Sequence, residues 1–98
     1  MILPELLSQE EILERYSKLQ IWKLIEGHHL RGVFRFQDFA EALDFTVKVG
    51  GIAENMNHHP EINLSWGRVE IIIFTHDRGG LTELDFQFAQ KVLEILSA

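Results

Sequence analysis

The sequence predicts an α+β domain: a four-stranded antiparallel sheet covered on one face by helices, in the order helix, two strands, helix, two strands, helix. Three observations predict it. Apolar residues recur at steps of three and four in three separate stretches, each opened by a capping signature. Between these stretches the apolar residues alternate instead, and the alternating segments come in pairs joined by short glycine-containing turns. Strands joined by tight turns pair antiparallel, and helices between such pairs cover one face of the sheet as a second layer.

Each element has its own signal. Ser8 with Glu11 is a capping-box pattern, and Ile12, Leu13, Tyr16 and Leu19 follow at helical spacing, so a short first helix begins near residue 9. Leu30 to Phe36 alternates, with Leu30, Phe34 and Phe36 on one face and Arg31 and Arg35 on the other. This strand is expected to pair with the segment around Ile21 to Ile25 through the turn at Glu26-Gly27. Asp38 with Glu41 caps the longest helix, along which Phe39, Ala42, Phe45, Val49, Ile52, Ala53 and Met56 form the apolar stripe. Gly50-Gly51 interrupts it, at about 1 kcal/mol per glycine relative to alanine, and reads as close packing against the sheet or a neighbouring subunit. Ile62, Leu64 and Trp66 then alternate with polar residues, Gly67 turns the chain, and Val69 to His76 is a second run of β-branched and aromatic residues. Asp77 to Gly80 breaks the pattern. Thr82 with Asp85 makes a third capping box, and Phe86, Ala89, Leu93 and Leu96 line the last helix.

With 98 residues, no repeat and no linker, the chain is expected to form one domain over 1–98. A composition 46% apolar and 24% charged is that of a soluble protein, and no apolar run reaches the length of a membrane span. The opening MILPELLSQEEILERY lacks the basic start of a secretory signal, and there is no cysteine, so a cytoplasmic location without membrane contact is expected. A net charge of −6 with scattered lysines and arginines argues against nucleic acid as a partner.

Four of the five histidines fall in two doublets, His28-His29 and His58-His59. The first sits at a turn and reads as solvated surface. The second lies where the long helix gives way to a strand, because Pro60 forces an extended backbone on the residue before it. His76 ends the strand that returns beside the start of the preceding one, which brings it near His58-His59. Glu54, four residues before His58, shares its helical face. The histidines lack the two- or four-residue spacing usual among zinc ligands, so no metal is expected. Imidazoles in one cleft can act as acid and base in turn, or can merely satisfy buried hydrogen bonds; the residues by themselves leave both readings open.

Glu54, His58-His59-Pro60, Trp66, His76 and Asp85, in that order and spacing, resemble the signature of the pterin-4a-carbinolamine dehydratases. Trp22, the strand ending FRF, the helix start DFAEALDF, and the stretches AENMNHHPE and THDRGGLTELD extend the resemblance over roughly residues 20 to 96. The resemblance implies a hydro-lyase that dehydrates a 4a-hydroxytetrahydropterin to quinonoid dihydropterin, as in tetrahydrobiopterin recycling. It implies proton transfer by His58 and His76, substrate orientation by His59, and a supporting carboxylate in Glu54. Asp85 and Trp22 are further candidates for the substrate site; capping for Asp85 and core packing for Trp22 stand as the alternatives. No cofactor is implied, the pterin being the substrate, and the resemblance implies a homo-oligomer, a homodimer or homotetramer being expected. Ile62 stands where the family commonly has an aromatic, and Gly50-Gly51 replace bulkier residues. Two rival functions remain: a non-catalytic dimerisation or assembly module of the same fold, and a metal-dependent hydrolase using the same histidines.

Overall fold

The structure, a computed structural model, describes residues 4–97; Met1–Leu3 of the opening stretch, and Ala98, lie outside it. The chain forms α1 (Gln9–Tyr16), β1 (Lys23–Ile25), β2 (His29–Arg35), α2 (Phe39–Met56), β3 (Glu61–Ser65), β4 (Arg68–Ile73), a 3₁₀ turn (His76–Arg78) and α3 (Glu83–Ser97). The strands make one antiparallel sheet in the order β1-β2-β4-β3. The two-layer α+β architecture and its element order are those expected. One detail differs: β4 stops at Ile73, and His76 opens the 3₁₀ turn instead of ending the strand.

Local chemistry sets the helix starts. At α1 the Ser8 hydroxyl accepts from the Glu11 N–H while Glu11 accepts from the Ser8 N–H, the full reciprocal box. At α2 the Asp38 carboxylate accepts from the Glu41 N–H at 2.9 Å. At α3 half of the expected box is present. Asp85 Oδ2 accepts from the Thr82 N–H at 2.8 Å, but the Thr82 hydroxyl is turned to Thr75 Oγ1, also at 2.8 Å. A buried hydroxyl beside another hydroxyl satisfies both, so the second half of the cap is given up.

Alternation along the strands sorts the two faces of the sheet. Leu30 and Phe34 of β2 and Val69, Ile71 and Ile73 of β4 point into the core, where they meet Phe45 and Val49 of α2 and Phe86, Phe88 and Val92 of α3. The opposite face is polar, with Arg31, Asn63 and Glu70 bonded across three strands. Two glycines permit close approach. A Cβ on Gly32 would lie 2.7 Å from the Phe34 ring, and one on Gly67 2.8 Å from the Phe36 carbonyl oxygen. Gly50 and Gly51 are different: a Cβ on either meets nothing within 4 Å. The close packing expected of them against the sheet is therefore absent; they leave a flat strip on the outer face of α2.

Candidate active site

The end of α2 positions the site. Asn57 adopts the left-handed conformation, φ 50°, and the His58 N–H reaches back to the Ala53 carbonyl at 3.0 Å. This six-to-one bond closes the helix and turns the chain sharply; asparagine is among the few residues besides glycine that enter this region readily. The turn takes His58 off the helical surface and under the sheet end. There its Nε2 stands 2.6 Å from Oδ1 of Asp85, which is fully buried, while about a tenth of the His58 side chain stays accessible.

Asp85 collects three partners. Besides His58, its Oδ2 accepts from the Thr75 hydroxyl at 2.9 Å and from the Thr82 N–H. With Thr75 donating to the carboxylate, the bond between the two hydroxyls has Thr82 as donor. A carboxylate held by such donors accepts a hydrogen bond from the Nε2–H of His58, and a ring carrying a single proton then has its lone pair on Nδ1. The alternatives for Asp85 are thus not exclusive: it caps α3 and also holds His58.

Glu54 goes elsewhere than helical spacing suggested. Its Oε2 lies 2.5 Å from His59 Nε2, an exposed pair, because Asn57 ends the helix before His58 can share the Glu54 face. Trp22 is 2% exposed and packs edge-on against Phe34 at 5.5 Å, in the core. Its indole Nε1 is buried without a hydrogen-bond partner among the described residues.

Sheet register gathers the histidines. Glu61 stands opposite Ile72, so the residues entering β3 arrive at the end of β4 that continues into Phe74, Thr75 and His76. Leu30 stands opposite Ile73, so His28 and His29 arrive at that same end from the other side. His28 and His29 are consequently not the solvated pair expected of a turn. They are half-buried, their Nδ1 atoms lie 3.1 Å apart, and the His28 ring packs on Phe74 at 4.6 Å. Phe74 in turn stacks on the exposed His76 ring at 4.1 Å. Burial, then the neighbouring His28, holds the His29 ring below the ordinary histidine range, against the opposing pull of Glu26. Thr75 and Phe74 were missed as site residues; the signal was their position between two histidine-bearing segments, visible only once β2 is known to pair with β4.

Among the described residues no group of three or more His, Cys, Asp or Glu side chains could hold a metal ion, and no helix is long and apolar enough to cross a membrane. A surface cavity of about 440 Å³ lies between α1 and α3 around Arg15, Phe86 and Gln90, and no histidine lines it. The chemistry-bearing groups lie instead at the open end of the sheet.

The sequence model of the family described as Pterin 4 alpha carbinolamine dehydratase matches residues 5–95. A protein from Rubrobacter xylanophilus, whose name provisionally assigns it pterin-4-alpha-carbinolamine dehydratase, is 55% identical over 83 residues, 84% of this chain and 78% of that one. The crystal structure of a transcriptional coactivator/pterin dehydratase from Brucella melitensis superposes with a TM-score of 0.87 at 33% identity, covering 93% of this chain and 98% of that one. A pterin dehydratase-like protein identified as a RuBisCO assembly factor in the alpha-carboxysome shares the fold, with a TM-score of 0.67 at 23% identity over 79% of this chain and 90% of its own. A match that spans nearly the whole length, on the fold the elements predicted, makes this chain a member of the pterin-4a-carbinolamine dehydratase family.

Proposed function

We propose that the protein dehydrates a 4a-hydroxytetrahydropterin to the quinonoid dihydropterin and water, in recycling of a tetrahydrobiopterin-type cofactor. One proton must reach the departing 4a-hydroxyl and one must leave a ring nitrogen, so a site with an acid and a base needs no further reagent. The observation that carries the reading is the buried Asp85–His58 bond, which fixes one imidazole's tautomer; the same carboxylate accepts from Thr75, whose chain neighbour is the exposed His76, and the exposed His59 follows His58. His58 and His76 transfer protons, and His59, held by Glu54, orients the pterin. The pterin is the substrate and no cofactor is required. Asp85 acts through His58, and Trp22 packs in the core against Phe34.

We further propose a homo-oligomer. Leu43 and Val47 lie exposed on α2, Val47 at 67%, in line with the flat strip at Gly50 and Gly51, and a chain this small gains buried apolar area by pairing that surface with a copy. The same exposed strip is what a non-catalytic assembly module would use, and a shared fold alone does not separate the two. Kinetics do. Purified protein is expected to accelerate loss of the 4a-hydroxypterin absorbance generated by an aromatic amino-acid hydroxylase, and His58→Ala or His76→Ala to slow it by on the order of 10². Wild-type protein with no effect on that decay leaves the assembly role standing and removes the enzymatic one.

A further inference from the structure

We propose that His28 and His29 form, with Phe74, an aromatic brace that positions His76. The proposal rests on the reading of His76 as a proton-transfer group, and it assigns to the first histidine doublet a role that neither the signature residues nor its turn position suggested.

Three contacts make the brace. His28 and His29 face each other through Nδ1 at 3.1 Å, the His28 ring packs on Phe74 at 4.6 Å, and Phe74 stacks on His76 at 4.1 Å. Phe74 therefore links two rings, one from the β1–β2 turn and the one that it supports. His76 begins a three-residue 3₁₀ turn and is exposed, so its own backbone neighbourhood does little to fix its side chain, and the Phe74 ring packs against it. An exposed imidazole free to sample all its rotamers spends little time in the one orientation a proton transfer needs, and restricting it is worth rate.

The bond between the doublet gives the brace its stiffness. Two ring nitrogens at that separation need one N–H and one lone pair, so the two rings cannot both be imidazolium and keep the contact. Burial and the adjacent His28 hold His29 below the ordinary histidine range, which favours the singly shared proton. His28 and His29 are thus positioning residues. They touch Phe74, and they act on the reacting group through it.

The experiment reads His76 directly. Side-chain NMR of the full-length protein, following the His76 Cε1–Hε1 resonance and its pH titration, is compared for wild type, His28→Ala and His28→Phe alongside dehydratase kinetics. His28→Ala is expected to shift the His76 resonance and to lower kcat about tenfold with KM little changed, and His28→Phe, which restores a ring on Phe74 but not the bond to His29, to recover the larger part of both. His28→Leu, which keeps side-chain bulk but lacks the ring, serves in place of alanine if the alanine variant unfolds at assay temperature. A His76 resonance and titration indifferent to loss of the His28 ring overturn the brace. So does an equal fall in kcat for the alanine and phenylalanine variants. If the wild-type protein shows no dehydratase activity, the functional reading fails, and the NMR comparison still decides whether His28 holds His76.

Discussion

Removing the Asp85 carboxylate strands donors whose number can be counted. Asp85→Ala leaves His58 Nε2–H, the Thr82 N–H and the Thr75 hydroxyl without their acceptor in a fully buried site. The Thr75–Thr82 hydroxyl bond can use only one of its two hydrogens, so reversing it strands Thr82 in place of Thr75 and three donors remain orphaned. At ~1–3 kcal/mol for each buried unsatisfied group, the loss is about 3–9 kcal/mol, a large share of the ~5–15 kcal/mol that holds a domain of this size. Asp85→Asn is the more telling variant. Its carboxamide oxygen can keep Thr75 and Thr82, but its NH₂ then faces His58 Nε2 and forces the ring to carry its proton on Nδ1. Stability should fall by only ~1–3 kcal/mol, while kcat falls by on the order of 10² because the lone pair has moved to the wrong nitrogen. Urea denaturation gives the first quantity, the hydroxypterin decay assay the second, and ¹⁵N chemical shifts of His58 report the tautomer. An Asp85→Asn protein with wild-type kcat, or one whose His58 keeps its proton on Nε2, refutes the reasoning.

Other outcomes follow from single features. Gly51→Ala meets no atom within 4 Å and should stabilise α2 by up to about 1 kcal/mol, seen as a higher melting temperature; a lower one would mean that a copy packs against the strip. Glu70 is held below its ordinary carboxyl value of 4.5 first by the hydrogen bond from Arg31, with Asn63 and Arg68 adding to it. A depressed folded-state pKa contributes stability that is present above 4.5 and is lost as pH falls through the folded value, so Glu70→Gln should flatten the acid limb of stability against pH. An acid limb unchanged in that variant removes Glu70 from the account. Trp22→Phe should lower the melting temperature modestly, since it opens space but also deletes a buried N–H that has no partner, and should leave KM for the pterin unchanged. A raised KM would restore Trp22 as a ligand contact.

What the sequence makes legible depends on the separation of the interacting residues along the chain. Capping pairs three residues apart and strand alternation are local, so Ser8–Glu11, Asp38–Glu41 and both hairpins were legible, as was the two-layer arrangement they imply. Glu54 was matched to His58 because four residues make one helical turn. That rule lapses at Asn57, whose positive φ ends the helix and hands Glu54 to His59. Asp85 read as a cap and is one, yet its tie to His58 spans 27 positions and leaves no local trace. His28-His29 looked solvated for a related reason. Its ring contacts exist only because β2 lies beside β4, a pairing across the whole of α2 that no periodicity encodes.

That same pairing governs when the protein becomes functional. β1–β2 and β3–β4 are local hairpins that can close quickly, whereas the β2–β4 seam must bring together segments separated by the entire long helix, and closing such a loop is slow. A partly folded chain with both hairpins and α2 formed would show nearly native circular dichroism while His28 and Phe74 still sat on separate pieces. In a refolding experiment, recovery of turnover should therefore trail recovery of secondary structure and keep time with the joining of the seam.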